Sequence, residues 1–460
     1  MERFTLAQAA DWTKGDAVGE AELTAVTTDS RQIPPEALFL PIRGERFDAH
    51  DFMEKAIADG AAAVVSHRKK EQYAVPALYV ENTSQALLDL AGGYRRMCGG
   101  KVIGVTGSVG KTTTKELLYA VLSQKFRACK TEGNLNNEVG LPLTLLRMTR
   151  ETEVMVAEMG MNHFGEISRM TAAARPDIAV ITNIGTSHIE FLGSREGICK
   201  AKLEILEGLR PDGCAVFCGD EPLLWEKRES LGCRVCTYGI ENPACDLTAH
   251  LHEDGTFDIV NNSLPCQTLG RGEKFKAALA IPGAHNVLNA LAAAAVGLLL
   301  GEAPEQIAAG LASYRASGVR QNIYDKNGYH IYADCYNASP DAMEATLRVL
   351  GTMAPEGRRF AVLGSMLELG EYAEEGHRRA GRAAAAYADA LYAYGPDAAA
   401  MAAGARACGM EQVYTFSDHA ALVAALQRDA KKGDALLFKG SHGMKMERAL
   451  RLFLGEDVEE

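Results

Sequence analysis

Apolar positions in this chain fall into short runs separated by polar, helix-period stretches, and the pattern changes twice. Runs at Ala37–Leu40, Ala62–Val65 and Ala77–Val80 read as strands. Phe52–Asp59, ending near Gly60, reads as a helix between them. From Lys101 onward the runs are more uniformly apolar: Val102-Ile103, Val154–Ala157 and Ile178–Ile181. Unbroken apolar runs of this length suit parallel strands buried on both faces. Between about Cys245 and Ala280 the pattern alternates around Asn261-Asn262 and Gly270–Gly272, which predicts a few antiparallel strands. The apolar stretch Val287–Leu300 then predicts a long buried helix. It contains Asn289 and is too short to span a bilayer. Runs at Ile331–Ala333, Phe360–Leu363, Ala390–Tyr392 and Ala435–Phe438, with helices such as Arg379–Tyr387 between them, predict a second alternating unit of the doubly wound kind.

The expected fold class is therefore α/β with three domains. Residues 1–98 form a small α/β domain, 99–317 a central phosphate-loop α/β domain with a few added antiparallel strands, and 318–460 a C-terminal Rossmann-like domain. A length of 460 residues agrees with two or three cores.

Candidate chemistry starts where the first buried strand gives way to a helix. Gly104-Val-Thr-Gly107-Ser108-Val109-Gly110-Lys111-Thr112-Thr113 leads into the helical pattern Leu117–Leu122. Strand, glycine turn and helix N-terminus together make an anion cradle, because unpaired N–H groups and the helix dipole both favour negative charge. Lys111 is placed to reach terminal phosphates and the Thr112 hydroxyl to hold Mg²⁺. The strict spacing would put glycine at 105; the chain has Val105, with Gly104 one place earlier.

Other polar groups cluster at predicted strand ends. Asn134, Asn136 and Asn137 lie in a glycine-flanked loop. Glu158 follows the run Val154–Ala157, where such folds place a metal-binding carboxylate, although a salt bridge would also explain it. His188 ends Ile181–Ser187 and is a candidate second metal ligand or a simple hydrogen-bonding histidine. Lys202 sits in a helical pattern, where an exposed lysine is the ordinary expectation. Asn286 and Asn289 share one helix face and could read an adenine edge or cap the helix. Asp334, at the end of a strand, could accept a ribose hydroxyl or cap its turn; Asn337 and Ser339 follow it, and Pro340 suits a first helical turn.

The net charge of −12, without long basic runs, argues against nucleic acid as a partner. Eleven cysteines, an odd number, and a start (MERFTLAQAADW) without signal-peptide character predict reduced thiols in a cytoplasm. Cys233 and Cys236 form a CxxC, with His250 and His252 beyond it; that spacing does not suit a zinc finger, and incidental thiols are the expectation.

Taken in order, the segments Thr28–Arg31, TGSVGKTTTKE (106–116), TEGNLNNEVGLPLTLL (131–146), AEMGMNHFGEI (157–167), ITNIGTSHIEFLGS (181–194), PGAHNVLNALAAA (282–294), DCYNASPDAM (334–343), VLGSMLELGE (362–371) and FKGSHGMKME (438–447) resemble the Mur ligase family over essentially the whole chain. The pieces around Tyr336 and at 362–371 look like the family member that joins D-Ala-D-Ala to UDP-N-acetylmuramoyl-tripeptide. The resemblance implies an ATP- and Mg²⁺-dependent ligase of peptidoglycan precursor synthesis, cytoplasmic and monomeric, working through an acyl phosphate. It implies phosphate and ATP contacts at 107–113, Asn286, Asn289, Arg320 and Asp334, and metal at Thr112, Glu158 and His188. It implies a carbamylated Lys202, and catalytic roles for Lys111, Glu158, His188 and Lys202. Asp29, Ser30 and Arg31 would meet the UDP-sugar, and Asn134, Asn136, Asn137, Asn337 and Ser339 the second substrate. A relative that adds a single amino acid, of the folylpolyglutamate-synthase kind, is the alternative within ligases; a nucleotide-binding protein without turnover is the alternative outside them. Ala49, Ser365 and His442 depart from the family's usual Asp-Gly-His, Leu-Gly-Asp-Met and Lys-Gly-Ser-Arg segments.

Overall fold

The computed structural model describes residues 1–44, 48–68, 71–316, 318–354 and 356–456. Residue 317, the expected end of the central domain, lies outside them.

Four sheets organise these residues. A five-stranded sheet runs in the order Asp16–Val18, Ala77–Tyr79, Ala63–Ser66, Ala37–Phe39, Ala25–Thr27, and a two-stranded ribbon pairs Phe4–Thr5 with Glu22–Leu23. The expected helix at 52–59 is a 3₁₀ turn, Ala49–Phe52, running into Met53–Ala58. Helix Thr83–Cys98 links this unit to the next. It is capped by the Asn82 side chain, which accepts from the Gln85 N–H.

The nine-stranded sheet is ordered Lys274–Ala278, Thr256–Asn261, Leu247–Leu251, Arg234–Gly239, Cys214–Cys218, Ile178–Ile181, Lys101–Thr106, Val154–Glu158, Ala128–Lys130. Its inner parallel strands Val154–Glu158, Ile178–Ile181 and Cys214–Cys218 are buried on both faces, as their composition requires. Val154 and Val156 enter one core while Met155 and Ala157 enter the other. From Leu247 to Ala278 the middle strand, Thr256–Asn261, runs antiparallel to both its neighbours and alternates half-exposed and buried positions. The first strand runs through Thr106, beyond the Val102-Ile103 read from sequence, so Gly104 lies inside it and the turn begins at Gly107.

The six-stranded sheet has the order Asn322–Lys326, Tyr329–Asp334, Ala435–Lys439, Arg359–Gly364, Ala390–Tyr394, Val413–Phe416. Only the first of these runs antiparallel to its neighbour. No helix among the described residues is long and apolar enough to cross a membrane.

Helix Ala284–Leu299 is the long buried helix expected, and Glu302 follows it, fully buried, with neither carboxylate oxygen hydrogen-bonded among the described residues. Burial pushes its carboxyl up from 4.5 to about 7, and Lys125 offsets this only in part. The protonated form suits the folded state. The stability it confers is therefore fully present below about 4.5 and is lost as pH rises through about 7. Glu302→Gln is expected to leave thermal stability unchanged at pH 4.5 and to raise it by about 1–3 kcal/mol above pH 8. Melting curves of both proteins across that range check the slope.

Candidate active site

Sheet topology brings the phosphate loop to a switch point. Strand Lys101–Thr106 has Val154–Glu158 on one side and Ile178–Ile181 on the other, all three parallel. The register pairs Glu158 with Val105 and Ile181 with Thr106, so Glu158, Thr182 and Asn183 emerge on either side of the turn at 107–110. Helix Lys111–Leu122 starts directly after Gly110.

The loop is held from outside. Asn183 Oδ1 accepts from Val109 N–H at 2.9 Å, and its backbone oxygen accepts from Ser108 N–H at 3.1 Å. The Thr182 hydroxyl donates to Val109 O at 2.6 Å. Gly107 has φ +151°, and a Cβ there would lie 1.8 Å from Thr182 Oγ1. A Cβ on Gly110, at φ +85°, would lie 2.6 Å from Asn289 Oδ1. Both glycines are thus required by positive φ and by close approach.

Lys111 folds back over this loop, its Nζ donating to Gly107 O at 2.7 Å. Desolvation lowers its pKa, Glu158 opposes that shift, and Arg320 adds to it. The Thr112 hydroxyl is the junction of the site. It donates to Glu158 Oε1 at 3.3 Å and accepts from Arg320 Nη1 at 2.6 Å. Asn136 Nδ2 donates to the same Glu158 oxygen at 2.8 Å. Glu158 Oε2 is buried, has no hydrogen-bond partner among the described residues and lies 3.6 Å from Lys115 Nζ. Arg320 also stacks on Tyr336, with its guanidinium carbon 3.3 Å from the ring centroid.

Lys111, Thr112, Asn136, Glu158, Arg320 and Tyr336 line a cavity of about 410 Å³ that also includes Thr113, Asn134, Asn137, His188 and Asp334. Asn337 and Ser339 border it too. Locally, several of them are structural. Asn137 Oδ1 accepts from Val139 and Gly140 N–H at the start of helix Gly140–Leu145, and Ser339 caps helix Pro340–Leu350.

Other expected residues are placed differently from the sequence reading. Lys202 is 2% exposed, not on a helix surface. Desolvation and then Lys111 drive its pKa well below 10.5, and no carboxylate among the described residues pairs with it. His188 borders the cavity with φ +62° and its Nδ1 lies 2.7 Å from Glu368 Oε2. No three His, Cys, Asp or Glu side chains among the described residues form a metal-binding group. Asn286 and Asn289 are buried and spent on the scaffold: Asn289 Nδ2 donates to Asn286 Oδ1 at 3.2 Å, and Thr114 Oγ1 donates to Asn289 Oδ1 at 3.1 Å.

Asp334 accepts from Gln321 N–H at 3.2 Å and pairs with the buried Lys439, which also donates to Asn337 O at 3.0 Å. Lys439, just past the predicted run Ala435–Phe438, is a site residue that the sequence alone does not single out; the sheet pairs Asp334 directly with it. Lys115 and Asn183 were missed as well. The helical spacing of Lys115 from Thr112 was the available signal for the first. His285, on the cavity wall, is held neutral by burial, with its pKa pulled down to about 4.

In the five-stranded unit, Arg31 makes a two-point contact with Asp29, at 2.9 and 2.7 Å, which holds the exposed Asp29 carboxyl down to about 2. Ser30 O accepts from Lys55 Nζ at 3.3 Å. Ala49 lies between Asp48 and the buried His50, whose ring contacts Asp48 at 2.6 Å. Ser365 is fully buried and its Oγ accepts from Asp397 N–H at 3.0 Å, while His442 is exposed beside Tyr336.

Comparison with known proteins gives this geometry its relatives. The Mur ligase family, catalytic domain, matches residues 22–95, the Mur ligase middle domain 105–297, and the Mur ligase glutamate ligase domain 319–442. The UDP-N-acetylmuramoyl-tripeptide–D-alanyl-D-alanine ligase of Bacillus subtilis is 40% identical, with 98% of each chain covered. That of Escherichia coli is 36% identical over the same shares. A MurF crystal structure from Acinetobacter baumannii superposes with a TM-score of 0.90 at 31% identity, covering 99% of this chain and 100% of that one. MurF from Thermotoga maritima in complex with ADP gives 0.83 at 31% identity, over 94% and 97%. Matched along its whole length in sequence and in fold, this chain belongs to the Mur ligase family.

Proposed function

We propose that this protein joins the peptide carboxylate of UDP-N-acetylmuramoyl-tripeptide to the amine of D-Ala-D-Ala at the expense of ATP. The observation that carries the reading is the meeting at Thr112 of three elements far apart in the chain: the phosphate loop, Glu158 and Arg320. Full-length relatives at up to 40% identity, named for this reaction, supply the substrates.

A carboxylate resists attack by an amine because it is anionic and lacks a leaving group. Phosphorylation by ATP removes both obstacles. The loop amides at 107–113 and Lys111 cradle the phosphates, and Arg320 approaches the same hydroxyl from the opposite wall, where charge on the transferring group is spread over oxygens. The amine then adds to the acyl carbon and phosphate departs. Asp334, tied to Lys439, faces the ribose side, and Asn286 and Asn289 brace the loop on the adenine side.

The oxygens of Thr112 and Glu158, including the unpartnered Oε2, are hard donors suited to Mg²⁺, which keeps several waters and needs only one or two protein ligands. His188, on the lining of the same cavity, would be a further ligand. When bound, the ion would offset phosphate charge. Lys202, buried and held toward its neutral amine, has the state required to take up CO₂ as a carbamate. Asp29, Ser30 and Arg31 would meet the UDP-sugar, and Asn134, Asn136, Asn137, Asn337 and Ser339 border the space for D-Ala-D-Ala. The domains are assigned to 1–98, 99–317 and 318–460, the protein to the cytoplasm, and the active form to a monomer.

Purified protein with ATP, Mg²⁺, UDP-N-acetylmuramoyl-tripeptide and D-Ala-D-Ala is expected to release phosphate in step with a pentapeptide product. Release that depends instead on a single amino acid would replace this assignment with a different ligase. Release independent of every nucleotide-sugar peptide would remove it.

A further inference from the structure

Arg320 reaches Thr112 only while the C-terminal domain sits on the middle one, so the contacts that hold the two together bear on turnover. One of them is built around a single carboxylate. Asp341 Oδ2 accepts from the backbone N–H of Thr186 at 3.1 Å and from its hydroxyl at 3.3 Å. Asp341 Oδ1 accepts from Arg379 Nη1 at 2.9 Å, and Arg379 is itself anchored to Glu344 at 2.7 Å. A Cβ on Gly185 would lie 2.5 Å from Asp341 Oδ2, so the glycine makes the notch into which the carboxylate fits.

Asp341 and Arg320 belong to one rigid piece. Asp341 lies in the first turn of helix Pro340–Leu350, which follows strand Tyr329–Asp334. That strand pairs with Asn322–Lys326, which begins just after Arg320 and Gln321, and Asp334 accepts from Gln321 N–H. Elsewhere across the same junction, Tyr372 donates to Gly193 O at 3.4 Å and Glu368 meets His188.

Building on the ligase reading above, we propose that Asp341 is a positioning residue whose carboxylate, seated against Gly185 and Thr186, docks the C-terminal domain and sets Arg320 over the phosphate loop. It acts on the fraction of molecules in the docked arrangement and not on the reacting atoms.

The test compares the full chain with Asp341→Ala, Asp341→Asn and Gly185→Ala by steady-state kinetics, melting curves and small-angle scattering in ADP. Asp341→Ala is expected to lower kcat about tenfold, raise KM for ATP severalfold, leave the melting temperature near that of the parent and enlarge the radius of gyration. Asp341→Asn, which keeps an acceptor for Thr186 N–H, should fall between the two. Gly185→Ala should repeat the Asp341→Ala effect from the other side of the contact. Parental kcat in Asp341→Ala, or a loss of kcat with unchanged scattering, overturns the proposal. If the parent ligates no dipeptide, the functional assignment fails separately, and the scattering comparison still decides whether Asp341 docks the domains.

Discussion

Lys111→Ala is expected to reduce ATP-dependent phosphate release by about a thousandfold or more, the scale on which loss of one preorganised charge at a transferring phosphoryl group is felt. The argument is electrostatic. Lys111 is held within the loop by Gly107 O at 2.7 Å, and its pKa is pulled down by burial and by Arg320. A cation kept partly desolvated has little water to lose when an anionic ligand arrives, so its interaction with phosphate is stronger than that of an exposed lysine. Lys111→Arg should not restore activity, because the loop at 107–110 is shaped around a single ammonium and a guanidinium would displace it. Coupled-enzyme phosphate assays measure the loss, and calorimetric titration with ADP separates binding from turnover. Undiminished turnover in Lys111→Ala would remove this residue from the reaction.

The second large effect is expected at Lys202. Lys202→Ala should lower kcat by about a hundredfold, with ADP affinity changed little and with partial recovery on adding short carboxylic acids that fill the space with an anion. Desolvation of its buried amine, and then repulsion from Lys111, disfavour the cation, with Cys199 acting in the opposite direction. A folded-state pKa below 10.5 means that charging this amine costs stability, a cost that grows as pH falls below 10.5 and levels off once pH is below the lowered value. The neutral amine, the form that carbamate formation would require, therefore persists to lower pH than in an exposed lysine. Lys202→Met is expected to be inactive yet at least as stable thermally as the parent at pH 7, since it removes a buried amine with no carboxylate partner among the described residues. Full activity of Lys202→Ala without added acid would show that no anion is needed at this position.

Several parts of the candidate site are legible in the amino-acid sequence. The turn Gly107–Gly110 with Lys111 and Thr112 is local: strand, glycines and helix start follow one another in the chain, and their chemistry does not depend on distant packing. The buried strands Val154–Glu158 and Ile178–Ile181 were legible because a parallel strand covered on both faces must be apolar throughout. Glu158 stood out because a carboxylate at the end of such a run has no hydrophobic reason to be there. Ends of elements were less legible, as Thr106 and the 3₁₀ turn Ala49–Phe52 show, since terminal residues are set by what packs against them.

Sequence by itself thus determined the α/β alternation, the glycine turn that opens the Lys111 helix and the order of the polar segments. Tertiary structure alone decided which of those segments share a space. Sheet register set Asp334 beside Lys439, 105 positions away, and docking of one domain on another set Arg320 on Thr112 and Asp341 on Thr186. It also decided that Lys202, on a helix with the charge pattern of a surface, is buried. The physical reason is one of range. Backbone periodicity and turn chemistry act over a few residues, whereas burial, ion pairing and the pKa values that follow from them depend on neighbours that only the folded chain supplies.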